Sequence, residues 1–210
     1  MKHFIGVLVI AICWASLPNS VFCQADIDLL RNVNEHETAF KNNLFNALSK
    51  TNYMVSVGMP VGIFIAGLAK HDKQLQKQGA YMAGGYLVST ILTQSMKRII
   101  KRDRPFITYP FIVKRSDGGG YSMPSGHTSS AFYTATALSL WKPKWYIVVP
   151  AFTWASLSGY GRMYEGVHYP SDIAVGALVG AGSAWLTYHA QKWIDKRQTK
   201  KNAVSTTFQF

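Results

Sequence analysis

The sequence is poor in cysteine and contains neither a low-complexity segment nor an internal repeat. Its two cysteines, Cys13 and Cys23, lie ten positions apart. In a helix that is about 15 Å, too far for a disulfide bond. We therefore expect neither a disulfide nor a cysteine metal site. The composition shows no fibrous or disordered bias, so 210 residues predict one domain.

Acidic residues are also scarce. Ten Asp and Glu stand against 22 Lys and Arg, which gives a formal net charge of +12. Such a charge suits nucleic acid, anionic lipid or a phosphorylated small molecule as the partner. Charge alone does not choose among these three classes.

The first 25 residues form an apolar segment that begins after one lysine. Small residues at Val21 and Cys23 predict a signal peptide over residues 1–23, cut before Gln24. The charge-free run 3–25 is also long enough to cross a bilayer, so a retained first membrane helix is the alternative.

Residues 24–50 mix charges with apolar residues at roughly helical spacing. This spacing predicts an amphipathic helix on the periplasmic membrane surface, although an ordinary helix packed on the domain fits the same pattern. The apolar positions are Ile27, Leu30, Phe40, Leu44 and Leu48.

Long uncharged windows follow. Thr51–Ala69, Gln78–Met96 and Ile173–Gln191 each run 19 residues without Asp, Glu, Lys or Arg, just enough to cross a hydrocarbon core about 30 Å thick. Two shorter apolar runs, Thr128–Trp141 and Trp145–Gly161, predict a tight helical hairpin. Frequent small residues suit close helix packing in lipid. They also lower the mean hydropathy, which leaves a buried soluble bundle as the alternative.

We therefore predict an all-α, multi-spanning transmembrane helical bundle over residues 51–191, followed by a basic cytoplasmic tail, 192–210. It has five helices after a signal peptide, or six if the N-terminal segment is retained. The positive-inside rule places ten loop and tail cations in the cytoplasm: Lys70, Lys73, Lys77, Lys142, Lys144, Lys192, Lys196, Arg197, Lys200 and Lys201. The loops on the opposite side of the membrane are also basic, so the positive-inside rule only weakly distinguishes the two orientations.

One motif closes the second window with the residues KRIIKRDRP. Lys97 and Arg104 are seven positions apart, close to two helical turns, and so lie on one face. Pro105 disfavours helix at the residue before it, which lets Arg104 turn toward a ligand. Arg98 and Arg102 are interpreted as a cationic collar at the lipid headgroups.

A second motif, PSGH, precedes an apolar run. Ser125, Gly126 and His127 open a predicted helix, whose unpaired N–H groups and positive dipole end suit a phosphate. Glycine lets the anion approach the backbone closely. The alternative is a serine cap on a membrane helix, with the histidine incidental.

A third motif contains Arg162, His168 and Asp172. The four-residue spacing lets the carboxylate accept from one imidazole nitrogen and leaves the other as a nucleophile. Pro170 argues against one unbroken helix here, so this contact depends on a turn that the sequence does not define. Arg162 is suited to bidentate phosphate contacts. Solvated headgroup contacts are the alternative for each residue taken alone.

Together the three motifs resemble those of the type 2 phosphatidic acid phosphatase and vanadium haloperoxidase superfamily. K-x6-RP, PSGH and R-x5-H-x3-D occur in this order, each at the rim of an apolar segment, within residues 50–190. One departure is Gly161, where the family pattern usually has serine.

The resemblance implies a role for each matching residue. His168 attacks phosphorus, Asp172 orients it, and His127 protonates the leaving alkoxide. The implied phosphate-binding residues are Lys97, Arg104, Ser125, Gly126 and Arg162. Cations and a helix start suffice to offset the charge that develops in phosphoryl transfer.

No metal and no cofactor is expected. The six histidines form no HExxH or Cys–His pattern, and the cationic cluster opposes a divalent ion. The resemblance implies a metal-independent hydrolase of phosphoric monoesters or diphosphates. Its expected partners are a phosphorylated lipid and the membrane rather than nucleic acid, while the oligomeric state is not encoded in these patterns.

The predicted protein is an integral membrane lipid phosphatase of a bacterial inner membrane, with its site on the periplasmic face. Lipid A phosphate and undecaprenyl diphosphate are favoured over phosphatidylglycerol phosphate and phosphatidate. Residues 106–121 are interpreted as a flexible lid. A non-catalytic lipid-phosphate binding or transport protein, a vanadium haloperoxidase and a soluble secreted acid phosphatase are the other hypotheses.

Overall fold

The fold was described from a computed structural model, which places residues 19–207. Within that range it has helices and no strand, as the all-α prediction requires. Residues 1–18 of the predicted signal peptide lie outside the described residues. The helices are α1 Asn19–Glu35, α2 Ala39–Ala69, α3 Lys73–Ile100, α4 Pro105–Thr108, α5 Gly126–Trp141, α6 Trp145–Tyr164 and α7 Pro170–Thr207.

Polar caps set where several helices begin. Thr38 accepts a hydrogen bond from the Lys41 amide at the start of α2. Asp72 accepts from two amides at the start of α3, at 2.8 and 3.1 Å. Ser125 holds the corresponding position before α5. Each side chain satisfies backbone N–H groups that have no partner within the helix.

Two predicted segments differ from the helix ranges of the structure. The single amphipathic helix over 24–50 is instead two helices, because the chain breaks at residues 36–38 and Thr38 caps a new helix. The second of these runs without interruption through the first uncharged window. At the other end, α7 continues past Gln191 into the segment predicted as a tail.

The bundle exposes many large apolar side chains on its outer faces. Among the described helices, α2 is the one whose length and hydropathy suffice to cross a membrane by composition alone. Ile65 on α2 and Ile91 on α3 are 57% and 63% exposed. Contiguous apolar exposure of this kind marks a surface that contacts lipid or another apolar partner.

The interior is tight because glycine and alanine line the helix contacts. A β-carbon at Gly176 on α7 would lie 2.8 Å from the Ser125 carbonyl oxygen, and one at Gly180 would overlap the Ser129 carbonyl. Both glycines therefore let α7 approach the start of α5. This confirms the close packing predicted from small residues.

Candidate active site

The chain alternates direction, so the three motifs meet at one end of the bundle. The C-terminal ends of α3 and α6 lie there with the N-terminal ends of α5 and α7. His168 is in the turn between α6 and α7, and Asp172 is in the first turn of α7. The other predicted site residues at these ends are Lys97, Arg104, Ser125, Gly126, His127 and Arg162.

His168 is the central buried group, with 2% of its surface exposed. Its Nδ1 lies 3.4 Å from Asp172 Oδ2, and its Nε2 lies 3.4 Å from Arg104 Nη1. Burial lowers the pKa of His168 to about 4, and the Asp172 carboxylate opposes this shift. The imidazole is therefore neutral at pH 7. With its proton on Nδ1 toward the carboxylate, Nε2 is unprotonated and its electron pair faces the Arg104 guanidinium.

Pro170 explains how the contact forms although the helix is broken. It is the first residue of α7, where its missing N–H costs nothing. His168 therefore precedes the helix and Asp172 lies inside its first turn. The Tyr169 amide donates to Asp172 Oδ2 at 2.9 Å, which fixes the carboxylate against the turn.

Arg102 is part of this site, so its assignment to a lipid-facing collar was wrong. Lys101 ends α3 with a φ of 51° in the left-handed region, and this turn directs the following residue back toward the bundle. Arg102 Nη1 donates to Asp172 Oδ1 at 2.9 Å, and Nη2 donates to Asp26 Oδ2 at 2.8 Å. Sequence spacing along a continuing helix could not show this reversal.

Lys97 and Arg104 both bind residues 118–122, which overlap the end of the predicted lid and are called the glycine loop below. Lys97 Nζ donates to the carbonyls of Tyr121 and Ser122 at 2.7 and 3.1 Å. Arg104, only 5% exposed, donates to the carbonyl oxygens of Gly119, Gly120 and Val167 at 2.8, 3.0 and 2.9 Å. Both side chains thus present fixed cationic donors to oxygen acceptors.

Arg162 is buried beside an acidic partner that the sequence analysis missed. Its Nη1 donates to Glu165 Oε2 at 2.6 Å and to the hydroxyls of Ser49 and Ser116 at 3.1 Å each. Burial raises the pKa of Glu165, and Arg162 opposes this shift. The i,i+3 spacing is a signal that could have revealed the pair. Ser49 lies on α2, 113 positions from Arg162, and no local pattern connects them.

The PSGH turn combines a helix cap with an open helix start. Ser125 is fully buried, and its Oγ accepts from the Thr128 amide at 3.4 Å, as the capping alternative predicts, and from Thr128 Oγ1 at 2.9 Å. Its own amide donates to the Asp172 carbonyl at 3.0 Å. The hydroxyl and the amide of Ser125 are therefore both engaged within the protein. The His127 ring packs against Tyr53 of α2, with centroids 4.5 Å apart.

Gly161 stands where the family pattern usually has serine, and the Phe45 side chain fills the space that a serine side chain would need. A β-carbon at Gly161 would lie 2.8 Å from Phe45 Cδ1 and 3.3 Å from Phe45 Cβ. Phe45 is 4% exposed and packs against Tyr160 and Tyr164, with ring centroids 5.5 and 5.0 Å apart. The ring therefore has little room to move.

Gly161→Ser is expected to destabilise the fold by about 1–3 kcal/mol, the usual cost of overpacking a core. Thermal unfolding in detergent measures the loss as a lower midpoint. Gly182→Ser is the matched control, because nothing lies within 4 Å of a β-carbon there. An unchanged midpoint for Gly161→Ser would show that the Phe45 ring yields. A second change, Phe45→Leu, is expected to restore part of the loss.

Known proteins that resemble the chain are named as phosphatases or diphosphatases. A lipid A 4'-phosphatase of Bacteroides thetaiotaomicron is 34% identical over 87 residues, which cover 41% of this chain and 38% of that protein. An undecaprenyl-diphosphatase of Sulfolobus acidocaldarius is 29% identical over 167 residues, 78% of this chain and 75% of the other. The chain thus spans well under half of the first relative and three quarters of the second.

Two solved structures share the fold. LpxE of Aquifex aeolicus superimposes with a TM-score of 0.70 at 26% identity, over 79% of this chain and 95% of the other. A transmembrane PAP2-type phosphatidylglycerolphosphate phosphatase of Bacillus subtilis gives a TM-score of 0.75 at 22% identity, over 90% and 94%. The second likeness concerns the fold alone. The predicted multi-spanning helical membrane bundle is confirmed.

The family model of the PAP2 superfamily matches residues 78–196. All three motifs lie inside this range. Because the match covers more than half of the sequence, the chain belongs to the PAP2 superfamily.

Proposed function

We propose that the protein is an integral membrane phosphatase that removes a phosphate group from a lipid through a phosphohistidine intermediate. The observation that carries this proposal is the environment of His168. One ring nitrogen faces the buried Asp172 carboxylate, and the other lies 3.4 Å from the guanidinium of Arg104. A phosphate held by Arg104 would present its phosphorus beside the unprotonated Nε2.

The first step exchanges one bond at phosphorus for another. Nε2 of His168 attacks, the P–N bond forms, and the P–O bond to the lipid breaks. The departing alkoxide takes a proton from His127. Asp172 stabilises the positive charge that develops on the imidazole, while Lys97 and Arg104 offset the charge on the phosphoryl oxygens.

The second step releases inorganic phosphate. Water attacks the phosphohistidine and gives its proton to His127, and the P–N bond breaks. His168 returns to its neutral form. Arg162 and the amides at the start of α5 hold the phosphoryl group through both steps. Binding alone would require neither the nucleophile nor the acid, which favours turnover over a binding or transport role.

Lipid A phosphate or undecaprenyl diphosphate is the proposed substrate. Support comes from the names of the similar proteins, which include lipid A phosphatases of several bacteria and an undecaprenyl-diphosphatase. Phosphatidylglycerol phosphate and phosphatidate are the alternatives, and the former is named for the Bacillus subtilis neighbour.

The site is proposed to face the periplasm of a bacterial inner membrane. The α2–α3 and α5–α6 connections lie at the end of the bundle opposite the site. These connections and the first two turns of α3 carry five lysines, which the positive-inside rule assigns to the cytoplasm: Lys70, Lys73, Lys77, Lys142 and Lys144. Both favoured lipids present phosphate at the periplasmic face.

The test is phosphate release by detergent-purified full-length protein in excess chelator. The panel is lipid A, undecaprenyl diphosphate, phosphatidylglycerol phosphate and phosphatidate, with His168→Ala protein as the blank. We expect one of the favoured lipids to be hydrolysed and the blank to be inactive. Loss of activity in chelator would overturn the metal-free mechanism. Tight binding of a lipid without release from any would support the binding or transport hypothesis.

A further inference from the structure

Helix α1 lies outside the family match and carries a buried acid. Asp26 is only 9% exposed, and the adjacent Ile27 and Leu30 are buried with Ile112 and Tyr169. Asp26 Oδ1 accepts from the Ser171 amide at 2.8 Å. A carboxylate at such depth is costly unless it is paired.

Its partner is Arg102, which joins two carboxylates. One arm of the guanidinium donates to Asp26 Oδ2 at 2.8 Å and the other to Asp172 Oδ1 at 2.9 Å. The Cζ atom of Arg102 lies over the Tyr169 ring, 3.8 Å from its centroid. Asp172 in turn faces Nδ1 of His168. Contacts therefore run in sequence from Asp26 through Arg102 and Asp172 to the histidine.

We propose that Asp26 is a positioning residue for the reaction, acting through Arg102 on Asp172 and so on the histidine nucleophile. This inference rests on the proposed function. Three contacts separate Asp26 from His168, with Arg102 and Asp172 between them, so Asp26 acts at a distance from the phosphoryl group.

The charges show why a second carboxylate is needed. Asp172 has 0% exposure and pairs with Arg102 and the imidazole; it also accepts hydrogen bonds from the Ser122 hydroxyl and the Tyr169 amide. During attack the imidazole becomes positive, and Asp172 must then stabilise two cations. Asp26 shares the charge of Arg102, which leaves more of the Asp172 charge for His168. It also fixes the planar fork of the guanidinium, and thereby the carboxylate that orients the ring.

A purely structural role makes a different prediction. If Asp26 only fastens α1 to the bundle through Ser171 and Arg102, removing its charge would lower stability and leave the rate per folded molecule unchanged. A positioning role lowers kcat and leaves KM nearly constant, because Asp26 does not bind the substrate.

The experiment compares Asp26→Asn with Asp28→Asn in the full-length protein, using the lipid that wild type hydrolyses. Asp28 is an exposed acid on the same helix, so its variant controls for the lost charge. We expect Asp26→Asn to lower kcat roughly tenfold, a typical cost of removing an outer-shell partner, with KM within about twofold. Asp28→Asn is expected to match wild type. In an Arg102→Gln background, Asp26→Asn is expected to add less than about a twofold loss, since the two residues act in one chain.

Other results would overturn the inference, and one of them would overturn the proposed function as well. A lower melting temperature with unchanged kcat for Asp26→Asn overturns the inference and leaves the proposed function intact. A full additional loss in the Arg102→Gln background also overturns it. An inactive wild type overturns the proposed function and this inference with it. If Asp26→Asn yields no folded protein, Arg102→Lys replaces it in the experiment. Lysine keeps the positive charge but cannot bridge two carboxylates as a planar fork. A wild-type kcat for Arg102→Lys overturns the inference.

Discussion

His168→Ala is expected to reduce phosphate release at least about a thousandfold, because no other group can form the covalent intermediate in its place. His168 is 2% exposed and lies between Asp172 and Arg104. Alanine leaves both partners and the phosphate-binding cations in place, so lipid binding should largely persist. The effect should therefore fall on kcat, with KM changed far less.

His36→Ala is the matched control, because His36 is an exposed histidine in the break between α1 and α2. Its activity should equal that of wild type. A second measurement follows the intermediate itself. Wild type mixed with lipid that carries radiolabelled phosphate, then quenched in alkali, should retain label on protein, and the His168→Ala variant should retain none. Residual activity within about tenfold of wild type would contradict a histidine nucleophile.

The sequence could predict the site because its pieces are local motifs at helix ends. Lys97, Arg104, His127 and Asp172 each lie at a boundary between apolar and polar residues, and alternating helices bring such boundaries to one end. The turn at Pro170 was left open, and the structure resolves it with the proline as the first residue of α7. Composition and spacing also sufficed for the all-α membrane bundle.

Contacts between distant parts of the chain could not be predicted in this way. Asp26 and Ser171 are 145 positions apart, and helical periodicity contains no information about such a pair. Arg102 was misassigned because one left-handed residue, Lys101, reverses the direction that a continuing helix would give. The break before α2 was missed because the apolar spacing of α1 happens to continue in phase across it.

Arg104→Lys is expected to lower kcat/KM by about a hundredfold to a thousandfold, the usual cost of losing preorganised donors to a transition-state oxyanion. The substitution keeps the positive charge, so the loss measures geometry alone. Arg104 uses three nitrogens at once, with its Nε and Nη2 on the glycine loop and its Nη1 on the Val167 carbonyl and beside His168. An ammonium group cannot occupy these positions together.

Arg98→Lys is the matched control, an exposed arginine on α3 six positions earlier in the chain. It should change kcat/KM by less than about twofold. Full kinetics with detergent-solubilised lipid then separate two causes. If Arg104 holds phosphate equally in the ground and transition states, the loss appears in KM; if it acts mainly on the oxygens of the transition state, kcat falls. If kcat/KM of Arg104→Lys stays within about threefold of the wild-type value, a positive charge suffices at this position. The hydrogen bonds of the Arg104 guanidinium would then serve to hold the glycine loop.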